Sequence, residues 1–304
     1  MKHYSFSIIP IPPFSLELTA GYQTYFQGEV GADVFEGKVY RRLQEVDGRL
    51  FLLSVHETGN VDAPQLEVTL SGEELAESDA EQARRTVTHI LATDIDLNQF
   101  YRLSASDPIL ASLVKRFRGL HPPRMPTIFE GMIFAVAGQQ ISSVVARLIR
   151  TLIVKRYGSS IRLNEHAYFG FPSPQQVLDA GINGLLEVKL SRRKAEYIMG
   201  IASRAVRGEL ELNILESLSD EQILEKLDSL HGVGRWTAEW VLLRAIGRLD
   251  VFPAGDLALR AIVSNYYFGG RELSEAEARS FAERWTPFKT LATAYLFAGR
   301  RLNV

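Results

Sequence analysis

Leu227-Asp228-Ser229-Leu230-His231-Gly232-Val233-Gly234-Arg235-Trp236-Thr237-Ala238-Glu239-Trp240 places a Gly-Val-Gly turn between two helical patterns. The spacing predicts a helix ending near Leu230 and a second starting near Arg235, running through Val241, Leu242 and Ala245. Glycine has no Cβ, so the backbone of this turn can approach another surface closely. The second helix presents free N–H groups at its start, and these suit a phosphate. A dinucleotide loop would need a strand before Gly232; Glu221 to Leu230 reads as helix, which excludes it. An ordinary αα-hairpin without a ligand satisfies the same spacing.

Further helices surround the turn. Thr127-Ile128-Phe129-Glu130 opens one as a capping box, after the Pro-rich connector Gly119 to Pro126. Ile141, Val144, Val145, Leu148, Ile149, Leu152 and Ile153 recur at helical spacing up to Gly158. Ser173-Pro174, Ser191, Ser219-Asp220, Ser274-Glu275 and Thr286-Pro287 each signal a helix start, and Gly208 a stop. Past about residue 104 no strand is expected.

The first third reads differently. Tyr4 to Ile9 is strand-like and Ser15 to Phe26 helical. Strand runs follow over Asp33 to Glu45, Arg49 to His56 and Gln65 to Leu70, with a hairpin turn at Asp47-Gly48. Ala80 to Ala92 reads as a helix with Ala83, Val87, Ile90 and Leu91 on one side. The expected fold class is α+β: a small antiparallel sheet with helices, then a mostly helical core.

Composition narrows the function. The 304 residues contain no cysteine, which excludes disulfides, thiolate zinc, a cysteine nucleophile and a cysteine-held iron–sulfur cluster. No membrane span or signal peptide is read, so a cytoplasmic protein is expected. The net charge of -2 divides unevenly: residues 1–110 carry 8 basic and 17 acidic side chains, residues 111–304 carry 26 and 19. A basic remainder is consistent with a polyanionic partner, and equally with solvated helix faces. The six histidines form no HExxH or similar metal pattern.

Leu230-His231-Gly232-Val233-Gly234-x-x-Thr237-Ala238 resembles the helix-hairpin-helix of base-excision DNA glycosylases. Within that superfamily the resemblance is strongest to bacterial DNA-3-methyladenine glycosylase II. Ala135 to Ser142 is similar to the family's first core helix, and Asp250-Val251-Phe252-Pro253-Ala254-Gly255-Asp256 to the loop ending in its catalytic aspartate. Glu283-Arg284-Trp285-x-Pro287-Phe288-Lys289 matches a late helical stretch, so the likeness covers roughly residues 104–304. The resemblance implies a TATA-binding-protein-like domain over 1–103. It implies a helical domain with the hairpin over 128–248, and a second helical subdomain from 104–127 and 249–304.

It also implies chemistry. Asp256 precedes a helix and is first of all an N-cap; the family places its essential carboxylate there. Trp236 stands where strand-cutting relatives carry a Schiff-base lysine, which implies a monofunctional enzyme that leaves an abasic site. Trp236, Trp240 and Phe297 correspond to walls of the base pocket, where an electron-rich ring attracts a cationic purine. Core packing is the plain alternative for Trp236, and the family prefers tyrosine and tryptophan where Trp240 and Phe297 stand. Gln140 replaces the leucine that fills the gap left by a flipped base; Gln139 and Gln140 bonding helix ends is the alternative. Gly232, Gly234, Arg235 and Thr237 are the implied DNA-backbone contacts. The carbonyls of Asp228, Leu230 and Val233 correspond to a Na or K site, with no other cofactor required. The expected partner is double-stranded DNA containing alkylated bases, bound by a monomer that is then nucleoid-associated. A non-catalytic hairpin module and an oxidised-purine glycosylase are the competing readings.

Overall fold

The computed structural model describes residues 1–25, 29–163 and 165–301. Five antiparallel strands come first: β1 (Lys2–Ile8), β2 (Asp33–Glu36), β3 (Val39–Val46), β4 (Arg49–Glu57) and β5 (Leu66–Gly72), in the order β1-β5-β4-β3-β2. Helices α1 (Leu16–Tyr25) and α2 (Glu77–Ile90) accompany them. Cross-strand pairs Leu53–Leu70 and Val55–Val68 point to the helical side. There they form a core with Phe14, Leu16, Ala83, Val87, Ile90 and Leu91. The strand alternation and the α2 face agree with the sequence. The expected helix end at Phe26 lies outside the described residues.

Two expectations for strands are corrected. The run from Asp33 to Glu45 is two strands, because Gly37 and Lys38 both take positive φ and turn the chain back. Strands also recur after residue 104: β6 (Ser160–Leu163) and β7 (His166–Phe169) form a short ribbon, with β7 against β3. Ser159 Oγ donates to Glu45 Oε2 at 2.6 Å beside it.

The helical part comprises α3 (Asn98–Ser104), α4 (Pro108–Arg116), α5 (Ile128–Gly138), α6 (Ser143–Tyr157), α7 (Pro174–Glu187), α8 (Arg192–Val206) and α9 (Leu212–Glu216). It continues with α10 (Asp220–Asp228), α11 (Arg235–Val241), α12 (Leu257–Tyr267), α13 (Glu275–Ala282) and α14 (Lys289–Arg301). Caps act where the sequence places them: Ser173, Ser219 and Ser274 make full capping boxes and Ser191 accepts from Lys194 N. The last helix begins at Lys289, past Thr286-Pro287.

Thr127 Oγ1 accepts from Glu130 N at 3.0 Å, but the reciprocal half of the expected box is absent. Arg42 of β3 has taken the Glu130 carboxylate instead, at 2.6 Å, and also bonds Asp33 at 2.8 Å. A buried carboxylate gains more from a guanidinium than from one amide. Burial pushes the Glu130 carboxyl up to about 7 against the pull of Arg42. This cluster joins the sheet to α5.

Two apolar cores make up the helical part. One gathers residues from Met125 to Val251. The other joins Ala92 to Leu120 with Phe252 to Ala298, pieces separated in the chain by the first. The segment after α11 therefore crosses from one core to the other. No helix among the described residues is long and apolar enough to cross a membrane.

Candidate active site

A cleft of about 1530 Å³ is lined from both helical cores. Gly232, Gly234, Trp236, Thr237 and Trp240 line it from the hairpin and α11. Asp256, Leu257 and Phe297 line it from α12 and α14. Gln139 and Gln140 line it from the turn between α5 and α6.

Asp256 is the N-cap of α12: its Oδ1 accepts from Leu259 N at 2.8 Å. Its Oδ2 accepts from Trp236 Nε1 at 3.1 Å and Trp240 Nε1 at 3.2 Å. The carboxylate is half-buried, and three N–H groups fix its plane. Trp236 and Trp240 lie one helical turn apart on α11, so both indoles reach it from the same face. Their rings meet edge-on at 6.5 Å, and Trp240 meets Phe297 at 6.1 Å. The three aromatic residues and the carboxylate thus share one wall.

The hairpin turn is built on contact. Gly232 has φ 86, and a Cβ there would stand 2.1 Å from the Tyr197 ring. Only glycine allows α8 to pack this closely. Gly234 is the N-cap of α11 with no side-chain cap bond; it is exposed, and a Cβ there would meet nothing within 4 Å. Arg235 lies beside it and pairs with Glu239 at 3.0 Å; Arg279 of α13 bonds the same carboxylate at 2.8 Å. Thr237 is buried, and its hydroxyl accepts from Gln139 Nε2 at 3.0 Å, so its side chain faces inward. Leu230 O accepts from Val233 N at 3.0 Å within the turn.

After Val241 the helix widens into a π-turn, Leu242–Ile246, which brings Arg244 to the cleft. Arg244 donates to Gln23 Oε1 of α1 at 2.7 Å and lies over the Tyr22 ring. Burial pushes the Tyr22 hydroxyl up to about 12. Arg150 of α6 lies over Phe134, 4.5 Å from the ring centroid, and donates to Phe134 O at 2.9 Å. Burial, with Arg244 and Arg147 nearby, brings Arg150 down to about 10.

Residues 133–287 match the family model of the HhH-GPD superfamily base excision DNA repair protein, about half of the chain. The chain belongs to the HhH-GPD superfamily of base excision DNA repair proteins. It is 30% identical over 204 residues to a DNA-3-methyladenine glycosylase of Bacillus subtilis, covering 67% of each chain. The solved 3-methyladenine DNA glycosylase from Archaeoglobus fulgidus is similar over 98% of both chains, at 34% identity and a TM-score of 0.85. A Schizosaccharomyces pombe 3-methyladenine DNA glycosylase in complex with abasic DNA is similar at 29% identity and a TM-score of 0.57. That likeness covers 66% of this chain and 96% of that one.

In this HhH-GPD protein the structure gathers the sequence-derived site residues on one cleft, except Arg235, which does not line it and pairs with Glu239. Arg150, Arg244, Phe134 and Met125, which also line it, escaped the sequence reading. An arginine within an apolar run, as at Arg150 and Arg244, is the sequence signal that could have found those two. Lys194 escaped as well. It bonds two backbone carbonyls, and partial burial lowers its ammonium's pKa.

Proposed function

We propose that this protein is a monofunctional DNA glycosylase acting on alkylated purines, of the DNA-3-methyladenine glycosylase II type. Its substrates are 3-methyladenine, 7-methylguanine and related bases in double-stranded DNA, and it acts as a monomer. The single observation that carries the reading is Asp256, held by three N–H groups beside an aromatic wall. A base inside a duplex is out of reach, so the target is extruded into the cleft, where Trp236, Trp240 and Phe297 face a cationic purine. The C1′–N bond then breaks and its electron pair leaves with the base, neutralising it. The sugar becomes oxocarbenium-like, and the Asp256 carboxylate stabilises that charge. Water adds to C1′ and loses its proton, with Asp256 as the nearby acceptor, leaving an abasic site.

The remaining assignments extend the same reading. Gly232 and Gly234 approach the DNA backbone together with the amides of Arg235 and Thr237 at the start of α11. Gln140 enters the gap opposite the extruded base. The backbone carbonyls of Asp228, Leu230 and Val233 are neutral oxygen donors on one hairpin turn, the donor type a Na or K ion takes. Leu230 O keeps a second lone pair beside its bond from Val233, which supports such a site. The ion would brace the turn.

The test is incubation of purified protein with methylated DNA, with identification of the released bases. Free 3-methyladenine and strands that break only on alkaline heating are expected. Binding without base release would leave a non-catalytic hairpin module. Release of bases only from a parallel DNA carrying oxidised purines would give the other glycosylase class. A borohydride-trapped protein–DNA adduct would contradict the monofunctional reading.

A further inference from the structure

Gln140 is exposed at the cleft, and its backbone stands at φ 55. A residue with a Cβ keeps this left-handed conformation where its surroundings hold it. Two neighbours supply the hold. Lys194 Nζ, from the first turn of α8, donates to Ala137 O at 3.0 Å and to Gln139 O at 2.7 Å. These oxygens lie at the C-terminal end of α5, where carbonyls lack helical partners and a cation is favoured. On the other side, Gln139 Nε2 donates to Gly232 O and to Thr237 Oγ1, both at 3.0 Å. The turn that carries Gln140 is therefore fastened to α8 by one side chain and to the hairpin by another.

We infer that Lys194 and Gln139 are positioning residues that preset Gln140 and tie it to the hairpin, so that seating the hairpin on DNA places Gln140 at the gap left by the extruded base. The inference rests on the glycosylase reading and extends it: the hairpin and the gap-filling residue act as one rigid unit. None of these bonds involves Asp256, so the effect falls on base extrusion and not on bond cleavage. Helix capping alone would also explain the Lys194 bonds, but it gives no reason for Gln139 to reach the hairpin. It also predicts no dependence on how the target base is paired.

The experiment measures single-turnover release of 3-methyladenine from two DNAs. One holds the lesion in a fully paired duplex; the other holds it in a single-nucleotide bulge, where extrusion is already largely complete. Lys194→Met and Gln139→Ala should slow release from the paired duplex roughly ten- to a hundredfold, and release from the bulge by about threefold or less. Lys194→Arg, which keeps two N–H donors, should recover most of the rate on paired DNA. A second readout needs no catalysis: 2-aminopurine beside an abasic analogue should brighten on binding the parental protein and brighten less with either variant, at equal affinity. Melting temperatures within a few degrees of the parental value establish that the variants fold. Equal losses on both DNAs, or none on paired DNA, would overturn the inference. Parental protein that releases no base from either DNA would instead contradict the glycosylase reading, and the aminopurine signal would still decide the placement of Gln140.

Discussion

Trp240 donates its indole N–H to Oδ2 of Asp256 at 3.2 Å, joining α11 of one helical core to α12 of the other. The side chain that walls the cleft also orients the charge beside it. Trp240→Phe removes that donor and keeps a flat aromatic wall. Single-turnover release of 3-methyladenine should fall roughly tenfold, with DNA affinity little changed, because a charged hydrogen bond is lost where the transition state needs it. An unchanged rate would mean that Trp236 and Leu259 hold the carboxylate alone.

The two hairpin glycines should respond oppositely to alanine. At Gly232 the new Cβ meets the Tyr197 ring at 2.1 Å with φ at 86, so Gly232→Ala should cost about 2–4 kcal/mol of stability. At Gly234 φ is -97 and the space is open. Gly234→Ala should therefore change stability by about 0.5 kcal/mol or less. It should nonetheless weaken binding to every duplex sequence roughly tenfold, since phosphate contacts position without reading bases. Urea unfolding and fluorescence anisotropy separate the two effects. Full DNA affinity in Gly234→Ala would remove the hairpin turn as the backbone contact.

His89 should withdraw stability on mild acidification, while Glu130, raised to about 7, takes up a proton in the folded state and offsets that loss over the same range. Its Nε2 lies 3.0 Å from Met125 O, and burial, then Arg124, depress its pKa to about 4. The unfolded chain protonates this imidazole near pH 6.5, so between about pH 6.5 and 4 the unfolded state binds the extra proton and folding is penalised. The His89 contribution to the loss is about 2 kcal/mol between pH 7.5 and 5 and about 3 kcal/mol in full. Thermal melting of the parental protein and of His89→Gln across that range should differ by this amount, the variant losing less stability on acidification. An equally steep profile in the variant would assign the acid sensitivity to other groups.

Much of this architecture was legible because its signals are local. Serine caps, the Gly-Val-Gly turn and the alternation of Leu66, Val68 and Leu70 each act within a few residues, and each appears where the sequence puts it. The misses are long-range. The β6–β7 ribbon is short and leans on β3, a neighbour more than a hundred residues earlier in the chain. Glu130 left its own helix start for Arg42, a partner 88 residues away. Arg244 carries no motif and owes its place to a π-turn and to Gln23. At the site, the sequence around Asp256 reads first as a helix cap, with the catalytic role implied by the resemblance, and the structure makes it the cap of α12 while turning its second oxygen to the two indoles.

That second oxygen is the centre of the account, and Asp256→Asn tests it. One amide oxygen can keep the Leu259 cap, so the variant should fold, while the negative charge facing the cleft is gone. A contribution made mainly in the transition state should vanish from the chemical step and not from binding. Single-turnover release of 3-methyladenine by Asp256→Asn should fall ~10²–10³-fold, with melting temperature and affinity for DNA carrying an abasic analogue retained. A folded Asp256→Asn protein that releases the base at the parental rate would reduce Asp256 to a helix cap and contradict the mechanism.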